Sequence, residues 1–484
     1  MLANINTNPN RNMILKFSCA AVLSFLFSCA SGNDITTSKK DNANSTDISC
    51  WITNPGSAVY LKKQNTVSNF SAVSNSYPSI VVDSITKYQT MDGFGFSLTG
   101  GSAYLINNLT AIKKDELLHE LFSNDSASVG ISYLRISMGA SDLDSYVFSY
   151  DDTNTTEDVS LPGFSLGPDA SNLIPILKSI LAINPTLKII ATPWSAPVWM
   201  KTNKSAKGGS LKPEYFAAYS LYFVKYIHAM KEQGITIDAI TPQNEPLNPD
   251  NNPSMYMSAL DQAAFIKNNL GPAFAKSNIS TKIVLYDHNC DRPDYPLTIL
   301  NDPEARNYSD GSAFHLYGGN ITALTTVHNA FPDKNIYFTE QWVGGPGNFA
   351  EDLKWHVKNL IIGATRNWSK NVIEWNLAAD ANYDPHTIGG CSTCMGALTI
   401  GSTVTRNVSY YIIAHASKFV PLGSVRIESN MILNLPNVAF LTPEGKKVLI
   451  VLNESASNQT FNIRFKNKYS VQNLAAGSVA TYIW

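Results

Sequence analysis

Short apolar runs rich in Ile, Val, Phe and Tyr recur between residues 93 and 376, each followed by a polar or glycine-containing loop and then a helical pattern. They are GFGFS (Gly93–Ser97), ISYLRIS (Ile131–Ser137), LKIIAT (Leu187–Thr192), IDAIT (Ile237–Thr241), KIVLY (Lys282–Tyr286), SAFHLY (Ser312–Tyr317), NIYFT (Asn335–Thr339) and VIEWN (Val372–Asn376). Runs of this length and composition read as buried strands. Helix candidates lie between them: DELLHELF (Asp115–Phe122), NLIPILKSILA (Asn172–Ala182) and, most clearly, KPEYFAAYSLYFVKYIHAMKEQG. In the last, Phe216, Tyr219, Phe223, Ile227 and Met230 recur at three- and four-residue steps, one stripe of a helix. Pro213 suits its first turn and Gly234 its end. Strand and helix alternating eight times predict an α/β fold, a (β/α)8 barrel over residues 91–413. A doubly wound open sheet is the rival, but no glycine-rich phosphate loop in the required form follows the first run.

The two ends are patterned differently. Residues 52–88 carry short alternating runs such as SIVVDSITKY, and from about Ala414 the alternation resumes, with TPEGKK as a turn between two strand-like runs. A β-sandwich built from residues 51–90 together with 414–484 is expected.

The first 29 residues read as a leader: Arg11 and Lys16, then an apolar run from Phe17 to Phe27, too short for a stable membrane span. LFSC (Leu26–Cys29), followed by Ala30, Ser31 and Gly32, resembles a bacterial lipoprotein processing site, which would make Cys29 the lipidated first residue; an ordinary cleaved signal is the alternative. Residues 30–50 are small and polar, a flexible tether. Export with a lipid anchor at the outer membrane, on its periplasmic or outer face, is therefore the expected location. Of the remaining cysteines, Cys391 and Cys394 have the spacing of half a zinc site or a redox pair, but no second close Cys/His pair stands out. In an exported protein a local disulfide or two loop thiols fits better.

A composition of 44% hydrophobic and 15% charged residues excludes a disordered chain, and a net charge of −2 gives no reason to expect nucleic-acid binding or electrostatic attachment to a membrane. The 11% aromatic content suits either core packing or stacking on sugars.

In a (β/α)8 barrel, chemistry gathers where the strands end. Glu245, in QNEP, follows the fourth run, and Glu340, in FTEQW, follows the seventh. Two carboxyls facing one another across that rim at roughly 5 Å are what a retaining glycosidase needs, one as nucleophile and one as acid/base. Asn244 can bond a sugar hydroxyl, and Glu245 is expected to be the raised, protonated carboxyl; Glu340 is expected to stay ionised beside Tyr317 and Arg135. No metal or cofactor is needed for this chemistry, and no compact ligand spacing suggests one. Each Glu could instead cap a loop, and a barrel with a sandwich could bind glycans without cutting them. Two acids at strand ends favour the enzyme.

GFGFSLTG (Gly93–Gly100), LRISMGASD (Leu134–Asp142), PWSAPVWM (Pro193–Met200), TPQNEP (Thr241–Pro246), FHLYGG (Phe314–Gly319), FTEQW (Phe338–Trp342), EWNLAAD (Glu374–Asp380) and HASKFVPLGSVRI (His415–Ile427) together resemble glycoside hydrolase family 30 over nearly the whole mature chain. The resemblance implies a retaining β-glycosidase with Glu245 as acid/base and Glu340 as nucleophile. It also implies that Arg135, Asp142, Trp194, Asn244, His315, Tyr317 and Trp375 surround the sugar before the scissile bond. Arg135 and Asp142 could otherwise be an ion pair, the two tryptophans packing, and His315 a core histidine. Asp287, His288 and Asn289 are placed on the rim, at the leaving-group side. DHNCDRPDYP and PWSAPVWMKTN look most like the bacterial β-1,6-glucanases, with glucosylceramide-type glucosides as the alternative substrate.

Overall fold

The computed structural model describes residues 47–66, 68–152 and 159–484. The leader, Cys29 and most of the tether lie outside the described residues. Eight parallel strands form the barrel: β1 (Gly93–Ser97), β2 (Tyr133–Ser137), β3 (Lys188–Thr192), β4 (Ala239–Ile240), β5 (Lys282–Cys290), β6 (Ser309–Gly319), β7 (Asn335–Glu340) and β8 (Asn371–Asn376). Each overlaps a run expected from the sequence. β4 is cut to two residues: Pro242, just beyond it, has no N–H to offer a ladder. β5 and β6 run further toward the rim than their expected runs, so Asp287 and His288 lie within β5.

β1 pairs with both β2 and β8 and so closes one side of the ring. Between β7 and β8 there is no continuous ladder. Lys370 donates its N–H to the Ile336 carbonyl at 2.9 Å, and the Asn371 side chain accepts from the Phe338 N–H at 2.9 Å. A buried amide thus substitutes for the missing backbone partner. Tyr133, Ile190, Ala239, Val284, Ala313, Tyr337 and Ile373, from β2 through β8, fill the barrel's interior. On β1, in register with Tyr133 and Ile373, stands Gly95; a Cβ there would come within 1.8 Å of the Tyr133 carbonyl oxygen.

The expected helical stripe holds: Tyr219, Phe223, Ile227 and Met230 are buried on the helix Phe216–Glu232, while Pro213 opens a separate 3-10 turn ahead of it. Gly234 follows at φ +80°, the left-handed stop that glycine allows.

A ten-stranded sheet system builds the second layer from both chain ends. Asp47–Asn54 pairs antiparallel with Val479–Ile483, and Ser79–Thr90 pairs with both Val425–Ser429 and Gln459–Phe465. Strand alternation divides two faces. Ala439, Leu449 and Val451 point into the sandwich with Phe461 and Tyr482, whereas Val438, Phe440, Val448, Ile450 and Leu452 join the core of the barrel. Both faces of the central strands are therefore apolar and buried. Ala414, the expected start of this layer, instead lies inside the helix Val408–Ser417, and the first sandwich strand on this side begins at Val425. That helix carries His415, fully buried between the hydroxyls of Thr53 and Thr481 at 2.8 and 2.9 Å. Burial pushes its imidazole down to about 3, so it is neutral.

Candidate active site

Asn244 and Glu245 leave β4 in a constrained turn. Glu245 has φ +41°, unusual for a residue with a side chain, and its N–H is held by the Asp287 carbonyl at 3.0 Å. Asn244 donates its N–H to the Pro193 carbonyl at 2.8 Å. The turn thereby aims the Glu245 carboxyl inward. Glu340 is the last residue of β7. Suitable ligand atoms of Glu245, His315 and Glu340 all lie within 4.8 Å of one another. That bound places the two carboxylates close to the roughly 5–5.5 Å of a retaining glycosidase and well short of the roughly 6.5–9.5 Å that an inverting enzyme leaves for water.

Arg135, on β2, ties the group together. It donates to Glu340 at 2.5 Å, to Asn244 Oδ1 at 2.6 Å and to Asp287 at 2.9 Å. Its guanidinium carbon lies 4.8 Å from the Trp194 ring centre and 5.6 Å from that of Trp375. Tyr317 donates its hydroxyl to Glu340 Oε1 at 2.9 Å. Asn248 donates to Glu245 Oε2 at 2.8 Å, and His315 Nδ1 meets Glu245 Oε1 at 3.1 Å.

The seven residues expected around the sugar divide into two groups. Asp142, Trp194, Tyr317 and Trp375 line a cavity of about 720 Å³ with both glutamates, Asn248, His288 and Trp342. Arg135, Asn244 and His315 do not line it. Arg135 and His315 are fully buried and bond the two glutamates, and Asn244 Oδ1 accepts from Arg135. Arg135 does not pair with Asp142 either; its partners are Glu340 and Asp287. Asp142 is instead held by the loop after β8, accepting from the Cys391 N–H at 3.3 Å. Cys391 and Cys394 form a disulfide, and both line the cavity.

Asp287 was expected on the rim and is found at the centre, fully buried. Arg135, Thr241, Thr339 and His315 all bond its two oxygens. Asn248 and Trp342 were not singled out as site residues in the sequence, and Cys391 and Cys394 were considered as a local disulfide but not placed at the cavity. Asn248 had one local signal, its place three residues after Glu245 in a turn. Trp342 follows Glu340 by two.

The charges depart from the expected split. Burial works to raise the Glu245 carboxyl, but the His315 bond and charge, helped by His288 and Asn248, hold it below the ordinary range. Burial raises Glu340 and outweighs the help from the His315 and Arg135 charges, with the nearby charges of Glu245 and Asp287 adding to the rise. His315 is opposed by burial, yet Glu340, Asp287 and Glu245 raise it to about 9. Asp142 is pushed up to about 7 by burial and by the Glu340 charge.

Glu245, His315 and Glu340 are also spaced as metal ligands, but the donor set does not suit a cation. Glu340 already receives Arg135 and Tyr317, and an ion there would face a guanidinium and an imidazolium.

A barrel with two closely spaced carboxyls at strand ends defines a glycoside hydrolase. Residues 91–420 match the glycosyl hydrolase family 30 TIM-barrel domain and residues 423–482 its β-sandwich domain, and the chain belongs to that family. It is 34% identical to an endo-1,6-β-D-glucanase of Aspergillus fumigatus, over 82% of this chain and 85% of that one. A solved endo-β1,6-glucanase superposes with a TM-score of 0.84 at 35% identity, covering 90% of this chain and 99% of its own. The lysosomal acid glucosylceramidase of Mus musculus is 28% identical over 82% of each chain.

Proposed function

We propose that this chain is a retaining endo-β-1,6-glucanase, with Glu340 as nucleophile and Glu245 as acid/base. The observation that carries the reading is the close approach of these two carboxyls beside one cavity. Glu340 attacks the anomeric carbon and forms a covalent glycosyl-enzyme; Glu245 protonates the leaving oxygen, then takes a proton from the incoming water. Tyr317 and Arg135 supply the donors that stabilise Glu340 as a carboxylate. Trp194, Trp375 and Trp342 offer rings, and Asp142 a carboxyl, to the sugar. His288 lines the same cavity.

Preference for β-1,6-glucan over glucosylceramide is supported by relatives of both kinds. Those named endo-1,6-β-glucanases are 34–36% identical to this chain, those named glucosylceramidases 28–32%. Release of reducing sugar from pustulan, measured beside a glucosylceramide and an aryl β-glucoside, tests the reading. Activity on pustulan should disappear in both Glu245→Gln and Glu340→Gln. Pustulan turnover that survives in either variant, or cleavage of glucosylceramide alone, defeats the corresponding part of it. We also propose that Cys29 is lipidated and anchors the enzyme at the outer membrane; labelling with a fatty acid that persists in Cys29→Ser would refute this. Among the described residues no helix is long and apolar enough to cross a membrane.

A further inference from the structure

The three tryptophans that border the cavity do not offer the same surface. Trp194 and Trp375 are 2% and 3% exposed. Their ring centres lie 5.3 Å apart, and the Arg135 guanidinium lies over both. Little of either ring is left for a sugar. Trp342 lines the same cavity and is only half-buried.

Gly344 sets how the Trp342 ring lies. A Cβ on Gly344 would stand 3.0 Å from Cη2 of the indole and 3.3 Å from both Cζ2 and Cζ3. Near-equal distances to one ring atom and both its neighbours place that point above the face of the ring; from the edge the neighbours would be markedly further. The indole therefore lies flat on the Gly344 backbone, and any side chain there would press it away. Gly344 is itself pinned. It stands opposite Cys394 in a short antiparallel pair, with Val343 opposite Met395, and the Gly345 N–H donates to the Thr393 carbonyl at 2.8 Å. The disulfide from Cys394 to Cys391 closes that loop, and the Cys391 N–H reaches Asp142 at 3.3 Å. One stapled loop thus holds both the tryptophan and the aspartate.

Trp342 also stands on a definite side of the cavity. It packs against the cluster of Leu143, Trp194, Trp375 and Cys394. Glu245 is flanked by other residues, Asn248 at 2.8 Å and His288 at 4.0 Å. With Glu245 serving the leaving oxygen, the Trp342 wall faces the part of the substrate that stays on the enzyme as the glycosyl ester.

We propose that Trp342 is the stacking platform for the second sugar on that retained side, the one joined to O6 of the glucose at the scissile bond, and so selects glucan chains over single-sugar glucosides. The proposal rests on the retaining endo-β-1,6-glucanase reading and names a residue that sets its substrate. A 1,6 link passes through an exocyclic CH2 and has one more rotatable bond than a link to a ring carbon, so ordering the second sugar is costly. A flat indole, backed by glycine and held by a stapled loop, is already in place to meet the apolar C–H face of that sugar, which offsets the cost. Glucosylceramide carries a single sugar and a lipid leaving group, and so presents no second sugar to this ring.

The test compares dinitrophenyl β-glucoside with dinitrophenyl β-gentiobioside. They share a reactive leaving group and differ by one 1,6-linked glucose on the retained side. Active enzyme is counted by trapping with a 2-deoxy-2-fluoro glycoside, which corrects for misfolded protein. The readout is the ratio of kcat/KM, gentiobioside over glucoside. Wild type should favour the gentiobioside. Trp342→Ala should lower the ratio about 10-fold or more, chiefly through KM for the gentiobioside. Trp342→Phe should keep more of the ratio than Trp342→Ala, because a ring remains to stack. Gly344→Ala, which presses a methyl onto the ring, should also lower it. No wild-type preference for the gentiobioside, a ratio unchanged in Trp342→Ala, or a loss in Trp342→Phe as large as in Trp342→Ala would overturn the platform. Absence of pustulan cleavage by wild type, or turnover that survives in Glu340→Gln, would instead overturn the underlying reading, so the two failures are distinguishable.

Discussion

The hydroxyl of Tyr317 offers a direct measure of how the site controls its nucleophile. It donates to Glu340 Oε1 at 2.9 Å, and Tyr317→Phe removes that donor while keeping the ring. A hydrogen bond to an ionised group is worth about 1.5–3 kcal/mol. Tyr317 stands on the cavity wall at 39% exposure, so water can partly replace the lost donor and the lower end applies, about 1.5 kcal/mol. At 1.36 kcal/mol per pKa unit this is a shift of about one unit. The sign follows from the charge: losing a donor to the carboxylate disfavours its ionised form, so Glu340, already raised by burial, rises further. Glu340 must be ionised to attack, so the acidic limb of kcat/KM should move to higher pH by about one unit, with the alkaline limb unmoved. The assay is the pH dependence of kcat/KM on one aryl glycoside for wild type and variant. An acidic limb that stays in place, or moves to lower pH, would show that the tyrosine hydroxyl does not stabilise the Glu340 carboxylate.

Glu340→Gln should form no covalent adduct with a 2-deoxy-2-fluoro glycoside, whereas wild type is labelled on Glu340; peptide mass spectrometry reads this, and an adduct on any other residue contradicts the role. Arg135→Gln leaves Asp287 and Glu340 buried without their cation, costing about 3–5 kcal/mol of stability at neutral pH. Both carboxyls rise without that cation, so the stability cost grows as pH rises through their folded values; denaturation at pH 4 should show a smaller difference from wild type than at pH 7. His415 has a folded value of about 3 against an ordinary value near 6.5, so its contribution is complete above about pH 6.5 and is lost as pH falls toward 3. His415→Gln should flatten that part of the stability profile. Cys391→Ser/Cys394→Ser frees the loop that donates to Asp142, and should raise KM several-fold more than it lowers kcat if Asp142 binds the sugar.

The barrel was legible because each strand is a compact apolar run that overlaps the observed ladder, and because the polar residues after those runs share one rim. Glu245, Glu340 and Trp194 were found this way, each beside its own strand, while Trp375 came from the family resemblance. What could not be read was which groups touch across strands. Arg135 pairs with Asp287 and Glu340 rather than Asp142 because β2, β5 and β7 converge inside the barrel, a closeness that no spacing along the chain encodes. The surroundings of Glu245 were hidden for the same reason: it was expected to be the raised carboxyl, whereas His315, on another strand, stands 3.1 Å away and acts to lower it. The start of the C-terminal layer was set too early because the apolar helix Val408–Ser417 runs directly into its hydrophobic pattern.

The strand Asp47–Asn54 has Val59–Lys63 on one side and Val479–Ile483 on the other. Trp51 lies opposite Lys63 on one side and Thr481 on the other, so one partner is local in the chain and the other lies beyond the whole barrel sequence. A nascent chain therefore holds an open edge there until Val479–Ile483 has been made, and losing that strand would unzip the Asp47–Asn54 side of the layer with it.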